Sequence, residues 1–220
     1  MTDQLKIAIA QMPQRVGDLR GNADAMLAKR AEAGDVDLIV FPEMQLIGYP
    51  AEDMIEKPAL SAQASVELHR LAKATADGGP AMIVGTLIRE GDNLFNSIVL
   101  LEGGAVSAVR HKHELPNYGT FDEKRHFDSG PLPEPVVFRG VKIGFPICED
   151  SWFPTVCANL KAKGAELIIA PHGSPYEIDK DDFRAAHVIG ARVREHGLQW
   201  RFSTGPVGRM NWPLTVRRSS

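Results

Sequence analysis

The sequence predicts one α/β domain with mixed sheets and covering helices, and three observations predict it. Apolar runs of strand length alternate with helix-periodic stretches, three strand-like runs follow one another across tight turn signals, and several runs end at proline or at a reactive side chain. At 220 residues, 44% of them hydrophobic, the chain can bury one substantial core and is short for two full domains.

Leu5 to Gln11 reads as the first strand. Asn22 then caps a helix whose apolar positions Ala23, Met26, Leu27 and Ala31 recur at helical spacing before Gly34 ends it. Asp37 to Phe41 is a largely continuous apolar run, suited to a strand buried on both faces, and it finishes at Pro42-Glu43. Ser61 to Ala76 is helical. Ala81 to Ile88, Leu94 to Leu101 and Ala105 to Arg110 form a meander, with Gly91-Asp92-Asn93 and Gly103-Gly104 as its turns. Pro116 to Pro135 is a long charged connection of the kind that carries function. Val141 to Ile147 is a further strand that runs into Cys148, and Pro154 opens a helix that Gly164 closes. Leu167 to Pro171 repeats the pattern of strand ending in proline, and Asp181 to His196 makes a last long helix. The resulting order is β-α-β-α-β-β-β-β-α-β-α.

A net charge of −3 and a pI near 6.2 give no general attraction for nucleic acid or anionic lipid. The 7 histidines are scattered and predict no metal centre. No apolar run approaches the roughly 18 residues of a membrane span, and the N-terminal residues lack a leader's basic and apolar regions, so a cytoplasmic protein is expected. In a reducing compartment the two cysteines, Cys148 and Cys157, should both be thiols.

Hydrolysis of an unactivated carboxamide through a covalent intermediate needs a thiolate, a base to generate it and a positive group for the tetrahedral oxyanion. Cys148, Glu43 and Lys112 are of those three types, and each follows a strand, where parallel strands gather ligand-binding groups at one sheet edge. Cys148 stands between a strand and a helix start, whose unsatisfied NH groups and dipole favour a thiolate. Glu43, behind an apolar strand and a proline, is expected to be partly desolvated, as suits a general base. Taken singly each residue has an ordinary reading: a core cysteine, a solvated loop carboxylate, an exposed lysine in a charged run. Cys157 is expected in the core, sharing a helix stripe with Phe153, Val156 and Leu160.

Read together, the segments carry a resemblance. Phe41-Pro42-Glu43-Met44 with Gly48-Tyr49-Pro50-Ala51-Glu52-Asp53-Met54 resembles the glutamate motif of the nitrilase (carbon-nitrogen hydrolase) superfamily. The run from Lys112 to Arg125, which includes Pro116-Asn117-Tyr118-Gly119-Thr120-Phe121-Asp122-Glu123, resembles the lysine segment of the glutaminase domains of NAD⁺ synthetases. Ile147-Cys148-Glu149-Asp150-Ser151-Trp152-Phe153-Pro154 resembles their cysteine segment. The resemblance covers about Lys6 to Leu198. It implies a nitrilase-type α-β-β-α sandwich with mixed sheets, and a glutamine amidohydrolase with Glu43 as base, Lys112 as oxyanion stabiliser and Cys148 as nucleophile.

By the same resemblance Tyr118, Glu149 and Ser174 bind L-glutamine. Ordinary loop hydrogen bonding is the competing reading of Tyr118 and Ser174, and Glu149 has the alternative of holding Lys112. His172 stands where the family commonly shows Asn. Ammonia would pass to an ATP- and Mg-dependent synthetase domain in a homo-oligomeric full-length protein. This chain itself would use no cofactor or metal, and no Ser-Gly-Gly phosphate loop occurs in it. The competing readings are a free-standing amidase for another ω-amide or nitrile, and an inactive truncated product or interaction subunit that retains only the fold.

Residues 1–198 are thus expected to hold an incomplete glutaminase domain, with its C-terminal strands missing and a sheet edge left open. Residues 199–220 lack periodicity and contain two of the three Trp, four Arg and no acidic residue. An RNA-binding arm is disfavoured, since scattered Arg and Trp make no recognised module. A basic disordered tail is the ordinary reading, and a frameshift is the reading expected here. Back-translation from Thr204 with G- or C-ending codons, read from the last base of each, yields Arg-Pro-Gly-Gly-Pro-Asp-Glu-Leu-Ala-Ala-Asp-Gly-Ala-Ala, which resembles the family's own continuation. Resequencing the gene through the stop is expected to recover that run and a synthetase reading frame. An uninterrupted gene with no such frame downstream would remove the idea.

Overall fold

The computed structural model describes residues 4–119, 121–173, 190–197, 199–203 and 213–217. Strands β1 (Gln4–Ile9), β2 (Leu38–Val40), β3 (Ala81–Glu90), β4 (Asn93–Glu102) and β5 (Ala105–His111) join β10 (Pro213–Arg217) in a six-stranded sheet ordered β10-β1-β2-β3-β4-β5. β1, β2 and β3 are parallel, the β3-β4-β5 meander is antiparallel, and β10 runs antiparallel to β1. The second sheet is β6-β7-β8-β9, from Val136–Phe138, Val141–Gly144, Leu167–Pro171 and Gln199–Ser203. Its β6-β7 pair is antiparallel and β7-β8-β9 is parallel.

Side-chain alternation along the strands builds four layers. In β2, Ile39 faces the helices α1 (Leu19–Glu32) and α2 (Pro58–Ala74), joining Met26, Leu71 and Met82 in one core cluster. Its neighbours Leu38 and Val40 point the other way, into a second cluster with Ile83, Ile98, Phe138, Ile143 and Ile169 between the sheets. On the far side, Val156, Cys157 and Leu160 of α4 (Pro154–Ala162) pack on Ile168 and Ala170 of β8. The last described helix, α5 (Gly190–His196), lies beside α4. The order helix, sheet, sheet, helix is the nitrilase-type sandwich that the resemblance implied. A one-turn helix, α3 (Glu123–His126), interrupts the long connection before β6.

Several local expectations are corrected. Helix α1 begins at Leu19, with Asp18 accepting from Gly21 N at 3.0 Å as the cap. Asn22 lies inside the helix, where its amide is spent on a loop: Oδ1 accepts from Arg15 N at 2.9 Å and Nδ2 donates to the Arg15 and Leu46 carbonyls. Phe153 is not part of the buried α4 stripe. It precedes the helix and is 44% exposed, because the chain is still extended there. β6 falls beyond the expected connection as a three-residue strand with only Val136 and Phe138 inward. Of the helix expected over 181–196, residues 181–189 lie outside the described residues.

The segment after residue 198, read as aperiodic, contributes two strands, β9 beside β8 and β10 beside β1. They take edge positions through main-chain hydrogen bonds, which ask little of side-chain pattern. Between Glu102 and Ala105 a two-residue turn places Gly103 and Gly104 at φ 59° and 86°, the mirror-image turn that suits the twist of a hairpin.

Gly85 in β3 bears directly on the site. A Cβ there would meet the Pro42 carbonyl and lie 2.5 Å from Met44 N, so the segment carrying Glu43 can cross β3 only over a glycine. Phe41 N and Leu46 N donate to the carbonyls of Ile83 and Gly85, each at 3.0 Å, and fix that crossing. Gly85→Ala should lower the unfolding free energy in urea by about 1–3 kcal/mol, through overpacking against main chain. Val137→Ala, at a residue 63% exposed, should change it by less than about 0.5 kcal/mol. Equal stability of the two variants would refute this account.

Candidate active site

Three chain segments converge where the first sheet meets the second. Glu43 follows β2 and is 1% exposed, its carbonyl held by Gln14 Nε2 at 3.1 Å. Lys112 follows β5 and is fully buried. Its NH donates to the Asn96 carbonyl of β4 at 2.8 Å, and its own carbonyl accepts from Gly130 N at 2.8 Å. Cys148 opens a short 3₁₀ turn, Cys148–Ser151, with φ 45°. For a residue with a side chain that left-handed conformation costs on the order of 1–2 kcal/mol, and such strain clusters at functional sites. The α-helix starts at Pro154, as expected, and the 3₁₀ turn intervenes between it and Cys148, so any NH groups that favour a thiolate belong to that turn.

Lys112 Nζ donates to Glu43 Oε1 at 2.7 Å and lies 2.8 Å from Oε2 of Glu123, the first residue of α3. Burial alone pulls the Lys112 pKa down, but the Glu43 and Glu123 charges, with Cys148, offset it and leave the ammonium well above its ordinary value. Lys112 therefore stays cationic in a dry site. Its electrostatic coupling to Cys148 links all three expected catalytic residues.

Glu123 was not singled out from the sequence. It sits in the charged run Asp122 to Arg125, which looks like solvated loop, yet it is 3% exposed. Burial raises its pKa, with Lys112 opposing and Glu43 reinforcing. Asn96 Nδ2 donates to Glu43 Oε1 at 2.9 Å and to Glu123 Oε1 at 3.1 Å. The phenol of Tyr49 also hydrogen-bonds Glu123, and burial beside these carboxylates keeps that phenol protonated. From the second sheet, Gly173 N donates to Glu43 Oε2 at 2.7 Å.

Of the expected substrate-binding set, Tyr118 and Glu149 meet each other. The Tyr118 hydroxyl donates to the Glu149 carboxylate at 2.9 and 3.1 Å. The partners of Lys112 are Glu43 and Glu123, so holding Lys112 is not the role of Glu149. Burial raises the Glu149 pKa against the opposing Tyr118 bond, and Tyr118 itself is 55% exposed at the mouth. Ser174 lies outside the described residues. His172 is fully buried beside Gly173. Phe121 stacks with Tyr49 at 6.2 Å between ring centroids and meets Tyr118 edge-on at 5.7 Å, forming an aromatic wall. The adjoining cleft, about 560 Å³ of open space, is lined by Met44, Tyr49, Ile55, Phe121, Glu123 and Phe127.

Cys157 lies in the outer core as expected, its thiol pushed up to about 12 by burial. Among the described residues one group has metal-ligand spacing: Asp53, Glu56 and His126. The Arg125 guanidinium already occupies it, donating to Asp53 Oδ1 at 2.8 Å and lying 3.0 Å from His126 Nε2. No helix among the described residues is long and apolar enough to cross a membrane.

Asp150 ties the cysteine turn to the lysine segment. Its Oδ2 accepts from Ile147 N at 2.9 Å, and its Oδ1 accepts from His113 N and Glu114 N at 3.1 and 2.7 Å. Burial pushes its pKa from an ordinary 3.8 up to about 6 against those bonds and the Lys112 charge. Between those values the folded protein binds a proton that the unfolded chain does not. The stability from this group is thus fully present below the unfolded value and lost as pH rises through the folded one, about 3 kcal/mol in all. The unfolding free energy of Asp150→Asn, relative to the unsubstituted protein, should therefore rise by about that amount from acid to neutral pH. A difference independent of pH would contradict the assignment.

Comparison with known proteins bears on the family and the fold. Residues 6–196 match the family model described as carbon-nitrogen hydrolase. The chain is 40% identical over 200 residues to a glutamine-dependent NAD(+) synthetase of Rhodobacter capsulatus, a match that covers 90% of this chain and 36% of the relative. A synthetase of the same name from Xylella fastidiosa is 39% identical over 202 residues, with 90% and 36% covered. Among solved structures, the glutamine-dependent NAD+ synthetase of Acinetobacter baumannii superposes with a TM-score of 0.85 at 31% identity, covering 92% of this chain and 38% of that one. The NitN amidase of Nesterenkonia sp. AN1 has a TM-score of 0.77 at 24% identity, covers 91% and 78%, and shares the fold. The chain thus spans 36% of the length of these curated relatives. A family match over almost the whole chain, on this sandwich, means that the protein belongs to the carbon-nitrogen hydrolase family.

Proposed function

We propose that the chain is a thiol amidase acting on L-glutamine, with Cys148 as nucleophile, Glu43 as general base and Lys112 as oxyanion stabiliser. One observation carries the reading: a fully buried ammonium 2.7 Å from a buried carboxylate and electrostatically coupled to a cysteine on a strained turn. In this reaction the thiol proton moves to Glu43 as sulfur attacks the amide carbon. The carbonyl oxygen gains negative charge beside Lys112, where a preorganised cation in a water-poor site is most effective. The departing ammonia takes the proton back from Glu43, leaving a γ-glutamyl thioester. Water then attacks the thioester and gives its proton to Glu43; the C–S bond breaks, Glu43 returns the proton to the departing Cys148 sulfur, and glutamate leaves.

Glu149 suits the substrate's α-amino group, and Tyr118 and Ser174 would donate or accept around the amino-acid head. The relatives' names support delivery of the ammonia to an ATP-dependent synthetase domain, and a homo-oligomeric full-length protein belongs to the same proposal.

A glutamine-analogue electrophile should label Cys148, the label disappearing in Cys148→Ala and persisting in Cys157→Ala. Ammonia release from glutamine should fall at least about a hundredfold in Lys112→Met, in keeping with the loss of one oxyanion donor. Equal labelling of both cysteines, or faster turnover of another amide or a nitrile than of glutamine, would overturn the reading.

A further inference from the structure

We propose that Asn96 is a positioning residue of this site, whose amide spans the two buried carboxylates and leaves Glu43 Oε2 as the oxygen that receives the Cys148 proton. The inference rests on the reading of Glu43 as base.

Asn96 touches all three parts of the ion cluster from one strand. Its carbonyl accepts the Lys112 NH at 2.8 Å, and the two hydrogens of Nδ2 go to Oε1 of Glu43 and Oε1 of Glu123, at 2.9 and 3.1 Å. The opposite amide orientation would aim a carbonyl oxygen at two carboxylates, so the chemistry of the partners sets the rotamer. Asn96 is 1% exposed. Water cannot readily replace it there, and removing the amide would leave two buried carboxylates facing one ammonium.

The distribution of donors also distinguishes the oxygens. Glu43 Oε1 accepts from both Lys112 and Asn96, which uses both of its lone pairs. Glu43 Oε2 accepts from Gly173 N. Every named partner of Glu123 is a donor: Asn96, Lys112 and the Tyr49 hydroxyl. Among the described residues both carboxylates thus face hydrogen-bond donors, and the lone pair of Glu43 left without a named donor belongs to Oε2. In the step itself the S–H bond of Cys148 breaks, its electron pair stays on sulfur, and an O–H bond forms at Oε2. Besides Glu43, the titratable groups among the described residues that interact with this cluster are Lys112, Glu123, Tyr49, Tyr118, Cys148, Glu149 and Asp150.

The test reads the thiol as well as turnover. In the full chain carrying Cys157→Ala, the rate of Cys148 alkylation by iodoacetamide is followed against pH for Asn96, Asn96→Ala and the isosteric Asn96→Asp. Loss of a donor to an ionised pair should move the acid limb of both variants upward by about one pH unit, with alkaline rates little changed. Glutamine kcat/KM should show the same displacement, with KM within about twofold. A uniform loss of rate with the limb unmoved would assign Asn96 a purely structural role and overturn the proposal. If Asn96→Ala does not fold, the limb of Asn96→Asp decides. Should the unsubstituted chain release no more ammonia than Cys148→Ala, the amidase reading fails, while the alkylation profiles still judge Asn96.

Discussion

The structure around the site depends on one buried ammonium shared by two carboxylates. Lys112 is fully enclosed, with Glu43 and Glu123 at 2.7 and 2.8 Å. An unpaired lysine in that position would lose its proton or drag in water, and an unpaired carboxylate would do the reverse. Each ion is tolerable only because the others are present, so the three must be brought together by folding. They come from the end of a parallel strand, the end of a meander strand and a one-turn helix within a long connection. The site is thus a constraint on the first sheet as a whole, and Gly85 is the clearest trace of it, since the crossing of the Glu43 segment over β3 leaves no room for a methyl group.

The second sheet closes the arrangement from the other side. Asp150 binds main-chain NH groups on both sides of the gap, joining the cysteine turn to the residues just after Lys112. Lys112 and Asp150 thus act on one short segment, Lys112 from within it and Asp150 by gripping the next two NH groups from the cysteine turn. The Asp150 grip ties the cysteine turn in place, which explains how a strained φ at Cys148 persists: its neighbours on both sides are hydrogen-bonded to fixed groups.

Much of this was legible in the sequence, for physical reasons that also mark where legibility stopped. Glu43, Lys112 and Cys148 each follow an apolar run, and strand ends are where a sheet exposes groups to ligands, so periodicity and residue type made them candidates, and only the motifs read together singled them out. The meander was readable from its glycine turns. Glu123 was hidden because four charged residues in a row look solvated, and nothing local reveals that one of them turns inward to a lysine eleven positions back. Asn96 carried a signal that was passed over: Asn96-Ser97 is a polar pair within the otherwise apolar β4, and buried polar groups need partners. Asn22 misled for the opposite reason, being a good capping residue whose side chain is used across the fold. β9 and β10 were missed because edge pairing is made by the backbone.

Adjacent positions in the loop after β8 face unequal evolutionary freedom. Glu43 is gripped from that loop by the Gly173 NH, to which the side chain at position 172 contributes nothing, so His172 in place of the Asn that the resemblance implied leaves this grip untouched. Its neighbour has no such latitude, because a methyl group on Gly173 would press to 3.0 Å from the carboxylate and 3.3 Å from the Tyr49 ring. Drift among homologues should accordingly accumulate at the first of these positions and be purged at the second.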